Sequence, residues 1–250
     1  CGTPLTETGA HIFCPNRSCR PRIAAKLDHF AGKNAMDIDG FSESTAYLLI
    51  DKKGVRNFSD LYRLTSSDLK DLEGFGKKKI SNLLGAIEKS KTPAFDAFIY
   101  AVGIDGVGRV AAKDLSKRFK TTENLKNATE EELLSLENIG EVTAKSILGY
   151  FSDEENLKEL DALAAAGTSV VRPWSCMDVP CSYSGAERLK TECTAMGGIV
   201  EDVEYSSSVT LKVLIPAETE ADFTARIFDI SGGTVTPLQT GETHRAVRIK

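Results

Sequence analysis

Three cysteines near the start of the chain, Cys1, Cys14 and Cys19, lie in Cys1-Gly2-Thr3-Pro4-Leu5 and Cys14-Pro15-Asn16-Arg17-Ser18-Cys19. Thiolates on tight turns suit a structural zinc, which takes four ligands at the corners of a tetrahedron. The opening Cys-Gly reads as the second half of a Cys-x-x-Cys-Gly knuckle. A fourth ligand is therefore expected just upstream of Cys1, with His11 as the nearest substitute, and the natural chain is expected to begin before this point. The plainer alternative is three unrelated thiols.

The second chemistry is carried by glycines. An acidic or polar residue precedes a Gly-apolar-Gly turn in Asp39-Gly40-Phe41-Ser42, Glu73-Gly74-Phe75-Gly76, Asp105-Gly106-Val107-Gly108 and Glu137-Asn138-Ile139-Gly140. Positions 40, 74, 106 and 138 are 34, 32 and 32 residues apart, the period of repeated helical units. Two glycines around an apolar residue are expected to turn tightly with positive φ and bury the middle side chain. They also aim backbone N–H groups outward at a helix N-terminus, an arrangement that binds phosphate. Lys77 and Lys78 follow the second turn and Arg109 the third. Gly74, Gly76, Lys77, Lys78, Gly106, Gly108 and Arg109 are thus candidate phosphate contacts. Gly40 and Gly140 belong to turns that each lack one glycine and run into Glu43 and Glu141, so those two turns are expected to pack more than grip. The alternative, that the glycines only cap helices, sits less well with four regular repeats.

Other residues carry less. No Ser/His/Asp or Cys/His spacing suggests nucleophilic catalysis. His29 and His244 read as ordinary polar positions, Cys176, Cys181 and Cys193 as small, partly buried thiols, and Glu130-Glu131-Glu132 as a solvated first helical turn.

The elements that must position these residues are helical up to about residue 167. Ile80, Leu83, Leu84 and Ile87 fall at i, i+3, i+4 and i+7, one stripe of a helix, and Thr129 with Glu132 makes a capping box. A pair of helices flanks each turn, too small to bury its own face and therefore stacked on its neighbours. The character then changes. Segments 177–183, 199–205 and 209–215 and a last stretch to 249 read as strands, and 186–196 and 220–230 as helices, giving a βαββαβ, ferredoxin-like order. The fold class expected is mainly α, with an N-terminal zinc module over 1–22, a tandem helical DNA-binding domain over 23–167, a linker over 168–176 and an α+β domain over 177–250.

At 250 residues and 41% hydrophobic the chain can bury real cores, and no run of about 18 apolar residues spans a bilayer, so a soluble, cytoplasmic protein is expected. The net charge of −5 conceals an asymmetry. Residues 1–150 hold 22 Lys+Arg against 20 Asp+Glu, a net of +2, whereas the remaining 100 hold 9 against 16, a net of −7. Two halves with different partners are implied.

Taken in order, several stretches resemble the C-terminal part of bacterial NAD-dependent DNA ligases over residues 1 to about 167. They are Cys1-Gly2-Thr3-Pro4-Leu5, the Cys14/Cys19 pair, Ala35-Met36-Asp37-Ile38-Asp39-Gly40, Asp60-Leu61-Tyr62-Arg63-Leu64, Leu72 to Lys78, and Ala101-Val102-Gly103-Ile104. The resemblance implies a four-cysteine zinc module and a fourfold helix-hairpin-helix domain that clamps nicked double-stranded DNA through its backbone. It also implies a parent enzyme using NAD and Mg, whose adenylation and OB domains lie upstream. The Lys-x-Asp-Gly motif of that adenylation domain is not in this sequence, so no catalytic residue is assigned and this chain alone is expected to be inactive. Residues 175–250 depart from the family's usual C-terminal domain and resemble the small C-terminal domain of the Impact-type family, through 178–183, 205–211 and 224–233. The runners-up are a non-catalytic helix-hairpin-helix module of a repair nuclease or scaffold, and a regulatory protein whose last domain binds nucleic acid or a ribosomal partner.

Overall fold

The computed structural model describes residues 1–8, 11–206 and 208–248, with the backbone alone at 8, 11 and 248. The chain divides into two compact units, Val171–Ala246 and the remainder.

The first unit opens with a small antiparallel hairpin, β1 (Thr6–Thr8) and β2 (His11–Phe13), in which Glu7 faces Ile12. Three-residue strands are too short for alternation to reveal, and the sequence reading missed them. Helices follow: α1 (Arg20–Ala31), α2 (Glu43–Lys53), α3 (Phe58–Leu61), α4 (Ser66–Leu69), α5 (Lys77–Lys89) and α6 (Phe95–Ala101). The series continues with α7 (Arg109–Phe119), α8 (Thr122–Lys126), α9 (Glu130–Leu134), α10 (Glu141–Ser152) and α11 (Glu154–Ala165). Local sequence explains where several begin. At α3, α4 and α9 the Asp60, Asp68 and Glu132 carboxylates accept the N–H groups of Asn57, Thr65 and Thr129, and at α9 the Thr129 hydroxyl also accepts the Glu132 N–H, completing a capping box. One apolar core runs through all the helices. At its centre Phe30 is fully buried, stacked on Phe58 with ring centroids 4.2 Å apart and edge-on to Tyr62. The stripe read on α5 faces inward: Ile80, Leu83 and Ile87 are buried and Leu84 packs on the core from its edge.

The second unit contains β3 (Ser169–Cys181, beginning just before the unit), α12 (Ala186–Ala195), β4 (Ile199–Tyr205), β5 (Val209–Pro216), α13 (Glu220–Ile230) and β6 (Leu238–Arg248). The sheet order is β4-β5-β3-β6. β5 pairs antiparallel with β3, Met177 facing Val213, and with β4, Val203 facing Leu211. Each helix therefore crosses one intervening strand, as split βαβ connections require. The stretch expected as a linker differs: residues 169–176 belong to β3. Its ladder with β5 starts at Trp174↔Pro216, one residue past Pro173, so the missing N–H of that proline does not end the strand.

Gly198 holds α12 against β5. A Cβ there would lie 2.5 Å from Ile215 Cδ1, 2.7 Å from Cys193 Sγ and 2.9 Å from the Cys193 carbonyl oxygen, which cannot move without breaking the turn. Gly198→Ala is expected to destabilise the second unit by about 1–3 kcal/mol, the usual cost of overpacking. The measurement is a urea titration of the whole chain in which only the transition of the sheet-containing unit moves to lower denaturant; an unchanged midpoint refutes the packing argument.

Candidate nucleic-acid interface

The four repeated turns share one hydrogen bond. In each, the N–H of the middle apolar residue donates to the carbonyl three residues back: Phe41 to Ile38 at 3.2 Å, Phe75 to Leu72 at 3.1 Å, Val107 to Ile104 at 3.0 Å and Ile139 to Leu136 at 3.0 Å. Phe75, Val107 and Ile139 are buried, so each turn is nailed to the core by its apolar residue. The next residue, Ser42, Gly76, Gly108 or Gly140, is the N-cap of α2, α5, α7 or α10.

The expectation that both glycines of a turn take positive φ is corrected. Gly40, Gly74 and Gly106 do, at 78°, 76° and 77°. Gly76, Gly108 and Gly140 are extended, at φ −77°, −82° and −92°. Only the residue before the apolar one passes through the left-handed region; the one after must enter a helix, and N-cap backbone is extended. In the fourth turn Asn138 replaces the left-handed glycine without positive φ, and its side-chain amide donates to Asp114 of α7 at 2.7 Å.

An extended N-cap does not need glycine. Ser, Thr, Asp and Asn are preferred because their oxygens satisfy free N–H groups, and this chain uses them at Ser42, Thr121, Thr129 and Asp153. A Cβ added at Gly76, Gly108 or Gly140 would meet nothing within 4 Å. Neither strain nor crowding inside the protein therefore explains these glycines, and each leaves its helix start without a side-chain cap.

Charge separates the turns further. The first turn of α5 holds Lys77, Lys78 and Lys79, all exposed and without an acidic residue, and α7 begins with exposed Arg109. Cations there oppose the helix dipole and weaken the isolated helices. The helices α2 and α10 begin instead with Glu43 and Glu141, and the Ser42 hydroxyl accepts the Thr45 N–H. The third turn also lies against α10, since a Cβ on Gly106 would sit 3.0 Å from Thr143 Oγ1. Lys79, not singled out from sequence, holds its ammonium 4.1 Å over the Phe75 ring beside the second turn; the run of three lysines was its signal.

The cysteines converge. Sγ of Cys1 and Cys14 are 3.5 Å apart, and the sulfurs of Cys1, Cys14 and Cys19 all lie within 4.8 Å of one another. Thiolates about 2.3 Å from a tetrahedral zinc stand about 3.8 Å apart, so the cluster fits three corners of such a site. The fourth-ligand substitute considered above, His11, has its side chain outside the described residues. Asn16 shapes the connecting loop: its side-chain oxygen accepts the Ser18 N–H at 2.9 Å and its carbonyl the Cys19 N–H at 3.1 Å.

Between those thiols, Arg17 reaches across the unit. Its guanidinium donates to Asp153 at 2.6 and 3.1 Å and to Glu155 at 2.5 Å. Asp153 in turn caps α11, accepting the Glu155 and Asn156 N–H groups at 3.0 and 3.1 Å. The cysteine loop is thereby tied to the joint between α10 and α11, a contact no local pattern announces. The Arg17 guanidinium, followed by the Asn156 N–H, holds the Asp153 carboxyl down to about 2. A depressed carboxylate stabilises the fold above its unfolded pKa near 3.9, and the gain is lost as pH falls toward the folded value. Arg17→Gln is accordingly expected to lower the melting temperature by a constant amount above pH 5 and by a shrinking amount from pH 4 to 2. A pH-independent difference in paired melts over that range contradicts this account.

No described helix is long and apolar enough to cross a membrane. Two family models match parts of the chain: a helix-hairpin-helix motif over residues 97–167, spanning α6 to α11, and a domain of unknown function (DUF1949) over 179–234, inside the second unit. A DNA ligase of Clostridium perfringens is 50% identical over 139 residues, 55% of this chain and 21% of that protein. DNA ligases of Alkaliphilus metalliredigens and Clostridium novyi are 47% and 45% identical over 168 and 170 residues, each covering 26% of the relative. Among solved structures, one described as a hypothetical protein aligns with 28% of this chain and 34% of its own at 25% identity and a TM-score of 0.27. The chain spans about a fifth to a quarter of the length of the curated relatives it matches, and carries a helix-hairpin-helix motif and a stretch homologous to DNA ligases.

Proposed function

We propose that residues 23–167 clamp nicked duplex DNA as the DNA-gripping part of an NAD-dependent ligase, with a zinc held by Cys1, Cys14 and Cys19 bracing the start of α1. The observation that carries the reading is the build of α5 and α7. Both begin at glycines that no internal contact demands, uncapped and flanked by Lys77, Lys78 and Arg109, against the helices' own electrostatics. Gly74 and Gly106 make the turns that present the N–H groups, and these reach phosphate oxygens without reading base edges. Gly40 and Gly140 serve turns whose acidic neighbours suit packing better than gripping. Adenylation and its use of NAD and Mg belong to residues outside this sequence, and the parent's adenylation and OB domains are the partners of this part. The βαββαβ unit, net acidic, takes no part in the grip.

Few cations surround the grip, so the salt dependence should be modest. Binding of fluorescent nicked duplex, without sequence preference, is expected to show a log–log salt slope on the order of −2 to −4, at about −0.9 per phosphate neutralised. A slope near zero, or strong preference for one sequence, rules the reading out. A structure-specific module of a repair nuclease or scaffold is distinguished by tighter binding to flaps or junctions than to the nick.

A further inference from the structure

A cavity of about 480 Å³ opens in the helical unit, walled by α1, α10, α11 and the segments leading into α3 and α7. It borders the third glycine turn through Asp105 and the cysteine loop through Arg17 and Arg22, but none of the candidate phosphate-gripping glycines, lysines or Arg109, and none of the three cysteines, is on its wall. On its α1 wall stand Arg22 and Lys26, one helical turn apart. Like charges at this spacing repel and cost helix stability. Neither is neutralised: among the described residues no carboxylate lies within 4.0 Å of either, Arg22 donating only to the Cys14 carbonyl at 2.9 Å and Lys26 resting 4.9 Å over the Phe58 ring. Opposite them, on α10, the largely buried Tyr150 hydroxyl lines the same cavity and has no hydrogen-bond partner among the described residues. Of the carboxylates on the wall that Arg17 does not engage, Asp105 and Glu159, the latter is occupied on one oxygen by the Ser59 N–H at 2.7 Å. Asp153 and Glu155, also on the wall, are engaged by Arg17.

Two cations with no ion-pair partner within 4.0 Å and a phenol with no hydrogen bond among the described residues surround an open volume, leaving donors there unsatisfied. We infer that this cavity binds a tetrahedral oxyanion of the phosphate class through the Lys26 ammonium, the Arg22 guanidinium and the Tyr150 hydroxyl. The bound anion bridges the two α1 cations and turns their repulsion into attraction, while the phenol supplies the geometry that a bare pair of charges lacks. Burial supports this arrangement from two sides. It pushes the Lys26 ammonium below its ordinary value, an effect that the Glu159 charge opposes and the Arg22 and Arg17 charges reinforce, and it pushes the Tyr150 phenol upward. A buried anion opposes the first shift directly. The phosphoryl oxygen belongs either to a free phosphate compound or to a duplex backbone, since the chemistry presented to the cavity is the same.

The test uses the full chain with inorganic phosphate at constant ionic strength in chloride, followed by calorimetric titration and by melting temperature. One phosphate per chain is expected, raising the melting temperature with concentration. Lys26→Met keeps the apolar stem over Phe58 and is expected to weaken phosphate binding at least tenfold, the loss of one charge-assisted hydrogen bond, while making the phosphate-free protein no less stable. Tyr150→Phe removes only a hydroxyl and is expected to weaken binding severalfold with the fold intact. Adding nicked duplex separates the sources: competition with phosphate assigns the site to a backbone phosphate, and simultaneous binding assigns it to a free phosphate compound. The inference is overturned by the absence of phosphate binding, or by binding that both variants leave unchanged; either result leaves the glycine-turn grip standing, because that is read from DNA binding by Gly76 and Gly108 variants.

Discussion

Replacing Gly76 and Gly108 together by aspartate is expected to make the helical unit slightly more stable and to lower its affinity for nicked duplex by about 100-fold or more. The two effects have opposite signs because they act on the same N–H groups. Aspartate is a better N-cap than glycine by a few tenths of a kcal/mol, and a negative charge at a helix start adds about 0.3–1 kcal/mol. Its carboxylate then occupies the place of the phosphate. Each lost charge-assisted hydrogen bond is worth about 1.5–3 kcal/mol, and tenfold in affinity corresponds to about 1.4 kcal/mol, so two turns reach at least two orders of magnitude. Both positions are extended and a Cβ there meets nothing within 4 Å, so the fold offers no resistance. The outcome at Gly74 and Gly106 is different. These are left-handed, and a β-branched residue costs about 1–2 kcal/mol of strain at each, with the Thr143 hydroxyl in the way at Gly106. Their variants lose stability first and binding as a consequence. Thermal melts and fluorescence anisotropy on the same samples decide the matter: if the Gly76/Gly108 aspartate variant binds nicked duplex like the parent, the helix starts are structural and the grip lies elsewhere.

Supplying zinc to the metal-free chain is expected to raise the melting temperature of the helical unit by roughly 10 °C. At a free zinc concentration about 1,000 times the dissociation constant the gain is about 4 kcal/mol, and each kcal/mol moves a unit of this size by about 2–4 °C. Three thiolates close together fit the metal, and one of them, Cys19, is the buried N-cap of α1, so metal binding is coupled directly to the first core helix. Arg17 carries the effect onward to α11. Cobalt substitution should give the intense thiolate-to-metal absorption of a tetrahedral sulfur site, and Cys14→Ser should remove most of both signals. A cobalt spectrum with no thiolate bands, or an equal zinc stabilisation of the Cys14→Ser protein, discards the site.

Much of this was legible in the sequence because the relevant physics is local. A 3.6-residue stripe such as Ile80, Leu83 and Ile87 must face a core wherever the helix goes, and the Thr129/Glu132 box declares a helix start by itself. The spacing of the four turns reflects a repeated unit, and each repeat makes the same hydrogen bond. The split βαβ order of the second unit followed from alternation and from the breakers Pro216 and Gly232-Gly233. Tertiary structure decided the rest. Which glycine of a turn is left-handed depends on which residue becomes an N-cap, and residue type alone carries no sign of φ. Pro173 looked like a linker because its strand partner, β5, lies about forty residues on and only the ladder reveals it. Arg17 meets Asp153 across 136 positions, and Tyr150 and Lys26 line one cavity, arrangements that exist only once the core has brought distant helices together. Sequence determines the faces and ends of elements through short-range sterics and hydrogen bonding; the burial of apolar stripes against one another determines which of those ends meet.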